Sequence, residues 1–287
     1  MHELLHILWH GTLDALKILP FLLLTYLLME LLEHKAGDGV RKAVTKAGRA
    51  GPLIGGGLGL VPQCGFSSAA AGLFAGRVVT PGTLIAVFLS TSDEMLPVFL
   101  GAGVGVTKTL TVLGIKLAIA VAVGFLLDFL MRSHIKEMHV EELCQDEHCH
   151  CEQGIWRSAL HHTLHVFLFV WLISVALCAA FELLGEARIG ELLNAVPVLS
   201  VLLCALIGLV PNCAASVAIA TLWTHGVISG GAMLAGLLTG AGAGLLVLYR
   251  TNHRPKQNLA LTALLFGVGL LFGLLFELTG LAAAMGL

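Results

Sequence analysis

The chain has 287 residues, of which 57% are hydrophobic and only 12% charged, with a mean hydropathy of +0.92. A solvated globular domain carries about 25% charged side chains, so composition excludes a soluble fold and puts the chain in a bilayer. A net charge of -2 gives no footprint for nucleic acid, and the seven cysteines are not spaced like a secreted disulfide framework.

The first apolar run, at 13–32, reaches the roughly 20 residues that cross a hydrocarbon core as a helix. No basic region precedes it and no small-residue cleavage site follows, so it is expected to stay as a span rather than be removed as a signal peptide. His2, His6, His10 and Asp14 recur every four residues around its start, along one face of a helix. Neutral imidazoles at that spacing can share a divalent ion; the other reading is an interfacial helix whose polar stripe is histidine. Lys35, Arg41, Lys42, Lys46 and Arg49 follow the run.

Three apolar pieces come next, at 52–61, 63–76 and 83–103. The first two are too short to cross and are separated by Pro62, and a proline inside a helix costs about 3 kcal/mol. They predict a re-entrant hairpin whose tip is Pro62, Gln63 and Cys64, followed by one full span. At the centre of that span lie Asp93 and Glu94, where insertion costs about 2.5–3.5 kcal/mol for an aspartate. A continuous helix would align Ser90, Asp93, Glu94 and Pro97 as a stripe suited to a cation or a proton. Pairing of one carboxylate with Lys116 of the next span is the structural alternative.

A plain span at 108–130 ends in Asp128 and leads to a polar linker holding His134, His139, Cys144, His148, Cys149, His150 and Cys151. Short Cys/His-rich tracts point to metal capture or sensing, although the linker lacks the paired CxxC of a rigid zinc site. Another span at 160–184 opens on His161 and His165. A second broken region carries Pro211, Asn212 and Cys213, and a last span runs over 258–284.

The second half repeats the first. Shifted by 149 residues, GLVPQC at 59–64 meets GLVPNC at 208–213, Gly82 meets Gly231, Ser90 meets Thr239, and GFLLD at 124–128 meets GLLFE at 273–277. Their common order along the chain makes the match a duplication. The basic loop after the first span has a non-basic counterpart (Glu186, Arg188, Glu191), and the loop with Arg250, His253, Arg254 and Lys256 has the nearly uncharged 101–108. Basic loops stay on the cytoplasmic side, so the repeats are expected to be inverted.

The expected architecture is an all-α integral membrane protein of two inverted repeats, each of about five helical segments, with opposed hairpins meeting near the midplane. Residues 1–131 form the first repeat, 132–157 a cytoplasmic His/Cys-rich linker and 158–287 the second repeat. Both termini are expected outside. Unpaired backbone at membrane depth is tolerated only against protein or a wet cavity, and paired breaks in the two halves of a membrane protein mark a transporter's binding site. Gln63, Cys64, Asn212 and Cys213 offer amide oxygen and sulfur there, and thiolate favours soft ions while oxygens suit manganese or magnesium. The alternative is that each cysteine is a small buried apolar residue and each amide caps a broken helix. Asp128, Glu277, Glu30 and Glu182 end their spans and are assigned no more than gating or proton entry.

The GLVPQCG and GLVPNC tips, STSDE at 90–94 and the histidine-rich linker resemble the ten-transmembrane heavy-metal exporters, a family related to the arsenic permeases and also labelled manganese transporters or arsenic efflux proteins. The resemblance covers nearly the whole chain. It implies a bacterial inner-membrane efflux protein whose metal or metalloid is the substrate, with no cofactor. Export of a divalent or heavy-metal ion, coupled to protons through Asp93 or Glu94, leads. An arsenite or organoarsenical permease centred on Cys64 and Cys213 is the second reading. An intramembrane lipid-pyrophosphate phosphatase is the third, but neither tip supplies a cation for phosphate and no HExxH is present, so the chain is expected not to be an enzyme. The partners expected are the bilayer and the metal ion, with room for a homo-oligomer.

Overall fold

The computed structural model of the protein describes residues 48–62, 64–92, 95–131, 197–285 and 287, with scattered positions between 9 and 27 and between 160 and 175. Every regular element among the described residues is helical. The first half contributes α1 (Gly51–Gly59), α2 (Cys64–Ala75), α3 (Pro81–Ser90), α4 (Met95–Gly101) and α5 (Val106–Met131). The second contributes α6 (Pro197–Gly208), α7 (Cys213–Thr224), α8 (Gly230–Thr239), α9 (Gly244–Thr251) and α10 (Pro255–Leu278), then a short α11 (Leu281–Ala284). The helices α2 to α5 begin 149 residues before α7 to α10 in every case, so the sequence repeat is a repeat of elements.

Local chemistry sets the same boundaries twice. Thr80 caps α3, its Oγ1 accepting from Thr83 N at 3.1 Å, and Pro81 supplies a first residue already fixed in helical φ. Ser229 caps α8 in the same way, accepting from Ala232 N at 3.2 Å. The exits from α2 and α7 also match: Val78 N donates to Leu73 O and Val227 N to Leu222 O, both at 2.8 Å, which is the Schellman closure. That closure needs a left-handed residue, supplied by Gly226 (φ +71°) in one half and by Arg77 (φ +58°) in the other.

The hairpins follow from side-by-side contacts. A Cβ added to Gly51 would meet Thr83, one on Gly55 would meet Thr83 and Val87, and one on Gly59 would meet Val87 O and Ser90. Helices α1 and α3 therefore run parallel with their starts level. If α2 continued onward from α1, its end would lie about 30 Å from that level, beyond the reach of about 20 Å available to the link at 76–80. So α2 turns back beside α1. Gly208 faces Gly236 and Thr239 as Gly59 faces Val87 and Ser90, and α6–α7 repeats the hairpin.

The helices form two groups, and one short helix of each half packs into the core built around the other half's hairpin. Buried Ala70, Phe74, Leu84, Ile85, Val87 to Leu89 and Ala120 form one core with Leu245 to Leu248 of α9 and with Leu261, Leu265 and Val268 of α10. Met95 and Phe99 of α4 join the other core, with Val201, Cys204, Ile219 and Met233. Thus α3 and α4 are consecutive in sequence but belong to different cores, as do α8 and α9. At one end Arg77 Nη1 donates to Gln257 Oε1 (3.4 Å), joining the α2–α3 turn to the start of α10. At the other, the Phe99 ring of α4 lies 4.9 Å from the Trp223 ring near the end of α7.

Among the described residues, four stretches are long and apolar enough to cross a membrane: 81–101, 106–131, 230–251 and 255–278. The stretch at 230–251 is 94% buried, whereas that at 255–278 is only 33% buried. The broken stretches are thus central, while α5 and α10 turn faces bearing Leu126, Phe129, Leu259 and Leu271 outward, as a lipid-facing helix does. The plain spans expected at 108–130 and 258–284 correspond to α5 and α10. Those at 13–32 and 160–184 fall mostly outside the described residues, although every described position in them is helical and Trp171 Nε1 donates to Thr12 Oγ1 at 2.9 Å. The expectation of a single helix through 83–103 is corrected: the chain leaves the helix after Ser90 and re-enters it at Met95.

Candidate functional site

The interruptions of all four helical pairs converge on one region. Ser92 Oγ donates to Leu60 O at 2.7 Å, tying the first broken stretch to its own hairpin tip. In the second half Thr239 Oγ1 reaches Ala205 O at 2.9 Å, in the last turn of α6. Glycine makes both approaches feasible: a Cβ on Gly59 would lie 2.1 Å from Ser90 Oγ, and one on Gly208 2.1 Å from Gly236 O. A Cβ on Gly244 would lie 2.8 Å from Ser67 Cβ, so the start of α9 rests directly on α2.

Lys116 occupies the centre of this region. It sits mid-helix in α5 with its side chain fully buried. Its Nζ donates to Thr91 O, at the end of α3, and to Leu237 O in the last turn of α8, at 2.8 Å. The last carbonyls of a helix have no intrahelical partner and carry the negative end of its dipole. One ammonium thus bonds the C-terminal ends of two half-helices, one from each repeat. The equivalent position in α10 is Leu265, also fully buried.

Ser90 is the last residue of α3, fully buried, with Oγ donating to Val87 O at 3.1 Å. The stripe Ser90, Asp93, Glu94, Pro97 is not one helical face, because Thr91 and Ser92 are non-helical: Thr91 closes α3 as its C-cap and Ser92 turns its hydroxyl to the hairpin tip. Asn212 is buried and caps α7, its Oδ1 accepting from Ala214 N at 3.3 Å, as the capping reading expects. Cys64 and Cys213 are the first residues of α2 and α7. Gln63, Asp93 and Glu94 lie outside the described residues, as do His2, His6, His10, Asp14, His139, Cys144, His148, Cys149, His150, Cys151, His161 and His165. Among the described residues, no three His, Cys, Asp or Glu side chains come together.

Sequence reasoning assigned Asp128 and Glu277 a gating role at most, and the structure gives them a local one. Asp128 accepts from Gly82 N at 2.8 Å and from Thr80 Oγ1 at 2.7 Å, and Glu277 accepts from Ser229 Oγ at 2.5 Å. Each carboxylate therefore anchors the N-terminal end of the broken stretch in its own half, where negative charge complements the helix dipole. The match of Thr80, Gly82 and Asp128 with Ser229, Gly231 and Glu277 was the signal for it. What the repeat could not reveal was the exchange of α4 and α9 between cores.

Membrane-length helices interrupted in both halves, with their broken ends facing one another around a buried cation, define a membrane transporter of the broken-helix class. The chain belongs to the family described as "Putative, 10TM heavy-metal exporter", whose model matches residues 8–186. No curated protein and no solved structure matches it.

Proposed function

We propose that the chain exports a divalent or heavy-metal cation, manganese foremost, in exchange for protons, by alternating access to the region between the two helix breaks. The observation that carries this reading is the meeting of the α3 and α8 C-terminal ends at one point. Half-helix C-termini and unwound carbonyls are what coordinate small cations in transporters built this way. Asp93 and Glu94, two and three positions beyond Thr91 in the chain, supply the negative charge that a divalent ion requires.

The end-to-end contacts support an inverted pair of repeats. The base of the first hairpin adjoins the α9–α10 turn through Arg77 and Gln257, while the base of the second adjoins the far end of α4 through Trp223 and Phe99. The two broken stretches then run past each other in opposite directions. One end of the molecule gathers Arg77, Arg250, Arg254 and Lys256, and the α4–α5 turn at the other has Lys108. The positive-inside rule makes the first end cytoplasmic, in a bacterial inner membrane.

Transport into everted vesicles tests the reading, with Mn, Zn, Cd, Co, Ni and arsenite offered singly. Proton-coupled export predicts manganese uptake that a protonophore collapses and that Cys64→Ser combined with Cys213→Ser leaves largely intact. Uptake of arsenite alone, abolished by the cysteine pair, would establish the permease in its place.

A further inference from the structure

We infer that Lys116 is a tethered cation of the transport site: its ammonium holds the place between Thr91 O and Leu237 O that the exported ion takes, and loading displaces it. The inference rests on the proposed export of a metal cation. Its physical basis is the pairing at the two half-helix ends.

An ammonium at the centre of a span is costly to insert. Chain and packing do not need it, because Leu265 fills the equivalent position of α10 with the same complete burial. The cost is offset where Lys116 meets carbonyls from both repeats, Thr91 O from the first and Leu237 O from the second. Those oxygens belong to the ends of helices whose continuations, α4 and α9, lie in opposite cores. Any ion bound between them bridges the two halves, as the ammonium does here. A four-carbon stem with rotatable bonds can withdraw and return, which a fixed ligand cannot. The charged residues nearest in the chain are Asp93 and Glu94, two and three positions beyond Thr91. A metal that binds Thr91 O and Leu237 O competes with the ammonium for those carbonyl oxygens and is repelled by its charge. Lys116 therefore lowers metal affinity in the unloaded protein and keeps the two half-helix ends joined until the metal arrives.

The test uses the purified full chain with Mn²⁺ and Cd²⁺. Removing the competitor in Lys116→Met should tighten metal binding about tenfold, equivalent to about 1.4 kcal/mol. Because that variant can fail to fold, the wild type is also probed by amine acetylation with peptide-resolved mass spectrometry. Lys116 should be protected without metal and modified at saturating metal, while Lys108 and Lys256 react equally in both. Unchanged or weaker binding by a folded Lys116→Met, or protection of Lys116 at saturating metal, would overturn the tethered-cation role while leaving metal export standing. A wild type that binds neither ion would overturn both.

Discussion

Two glycines two positions apart in α1 provide a controlled perturbation of the site. Gly57 and Gly59 both lie in the last turn of the helix, but a Cβ on Gly57 has nothing within 4 Å among the described residues, whereas one on Gly59 would lie 2.1 Å from Ser90 Oγ and 2.7 Å from Val87 O. Replacing glycine by alanine inside a helix gains about 0.8–1 kcal/mol from propensity. At Gly57 no described residue opposes that gain. At Gly59 the serine hydroxyl can rotate aside, but Val87 O is backbone of α3, so α1 must withdraw by about half an ångström. Overpacking of that kind costs about 1–3 kcal/mol. The two variants should therefore differ by about 2 kcal/mol, which for a chain of this size is about 4–8 °C in melting midpoint. Thermal unfolding in detergent, followed by tryptophan fluorescence, measures the difference. Gly57→Ala should melt at or above the wild type and transport normally; Gly59→Ala should melt lower and lose flux, because α1 ends at the hairpin tip and Ser92 bonds Leu60 O there. Equal midpoints would refute the close parallel packing of α1 on α3, and with it the return of the hairpin.

The carboxylate anchors and the acidic pair separate structure from transport. Asp128→Asn loses an acceptor for either Gly82 N or Thr80 Oγ1 and should cost about 1–2 kcal/mol, read as a lower melting midpoint with the apparent affinity for metal unchanged; lost flux at an unaltered midpoint would contradict the anchoring role. Asp93→Asn and Glu94→Gln should each abolish metal resistance in an export-deficient host while the protein remains in the membrane at wild-type level. Full resistance in both variants would remove the carboxylates from the ion's path.

The repeat was legible because its marks are residues with few structural substitutes. Proline breaks the helix in each hairpin, and Gly59 with Gly208 and Gly82 with Gly231 stand where a Cβ would strike backbone. Such positions constrain residue type, so they survive as sequence identity. The break after Ser90 was not legible, because STSDE contains neither glycine nor proline and fits a helical period as well as it fits an extended turn. Its counterpart at 240–243 is glycine-rich, and reading the repeat backwards from Gly240 and Gly242 would have located the first break. The exchange of α4 and α9 could not be read at all. Both are short apolar helices whose composition suits either core, and only the packing of Phe99 on Trp223 and of Gly244 on Ser67 distinguishes the cores.

The two breaks are equivalent in position but not in chemistry, and the backbone accounts for part of the difference. Where the first repeat has Asp93, the second has Gly242 at φ +54°, a left-handed conformation that glycine adopts freely and an aspartate adopts only with strain. Where the first has Met95, the second has Gly244, pressed against Ser67 so closely that a Cβ would lie within 2.8 Å of it. The second break is thus shaped for close packing of α9 on α2. A charge pair in each repeat would put four carboxylates into the two breaks at about 2.5–3.5 kcal/mol apiece, with Lys116 the one buried lysine among the described residues to oppose them. The proposed export needs only the acidic pair of the first repeat, which in the chain follows the helix end that Lys116 joins to the second repeat. On the proposed export, one repeat therefore supplies the charge while the other supplies the close packing, and the symmetry of the two breaks fails where their tasks differ.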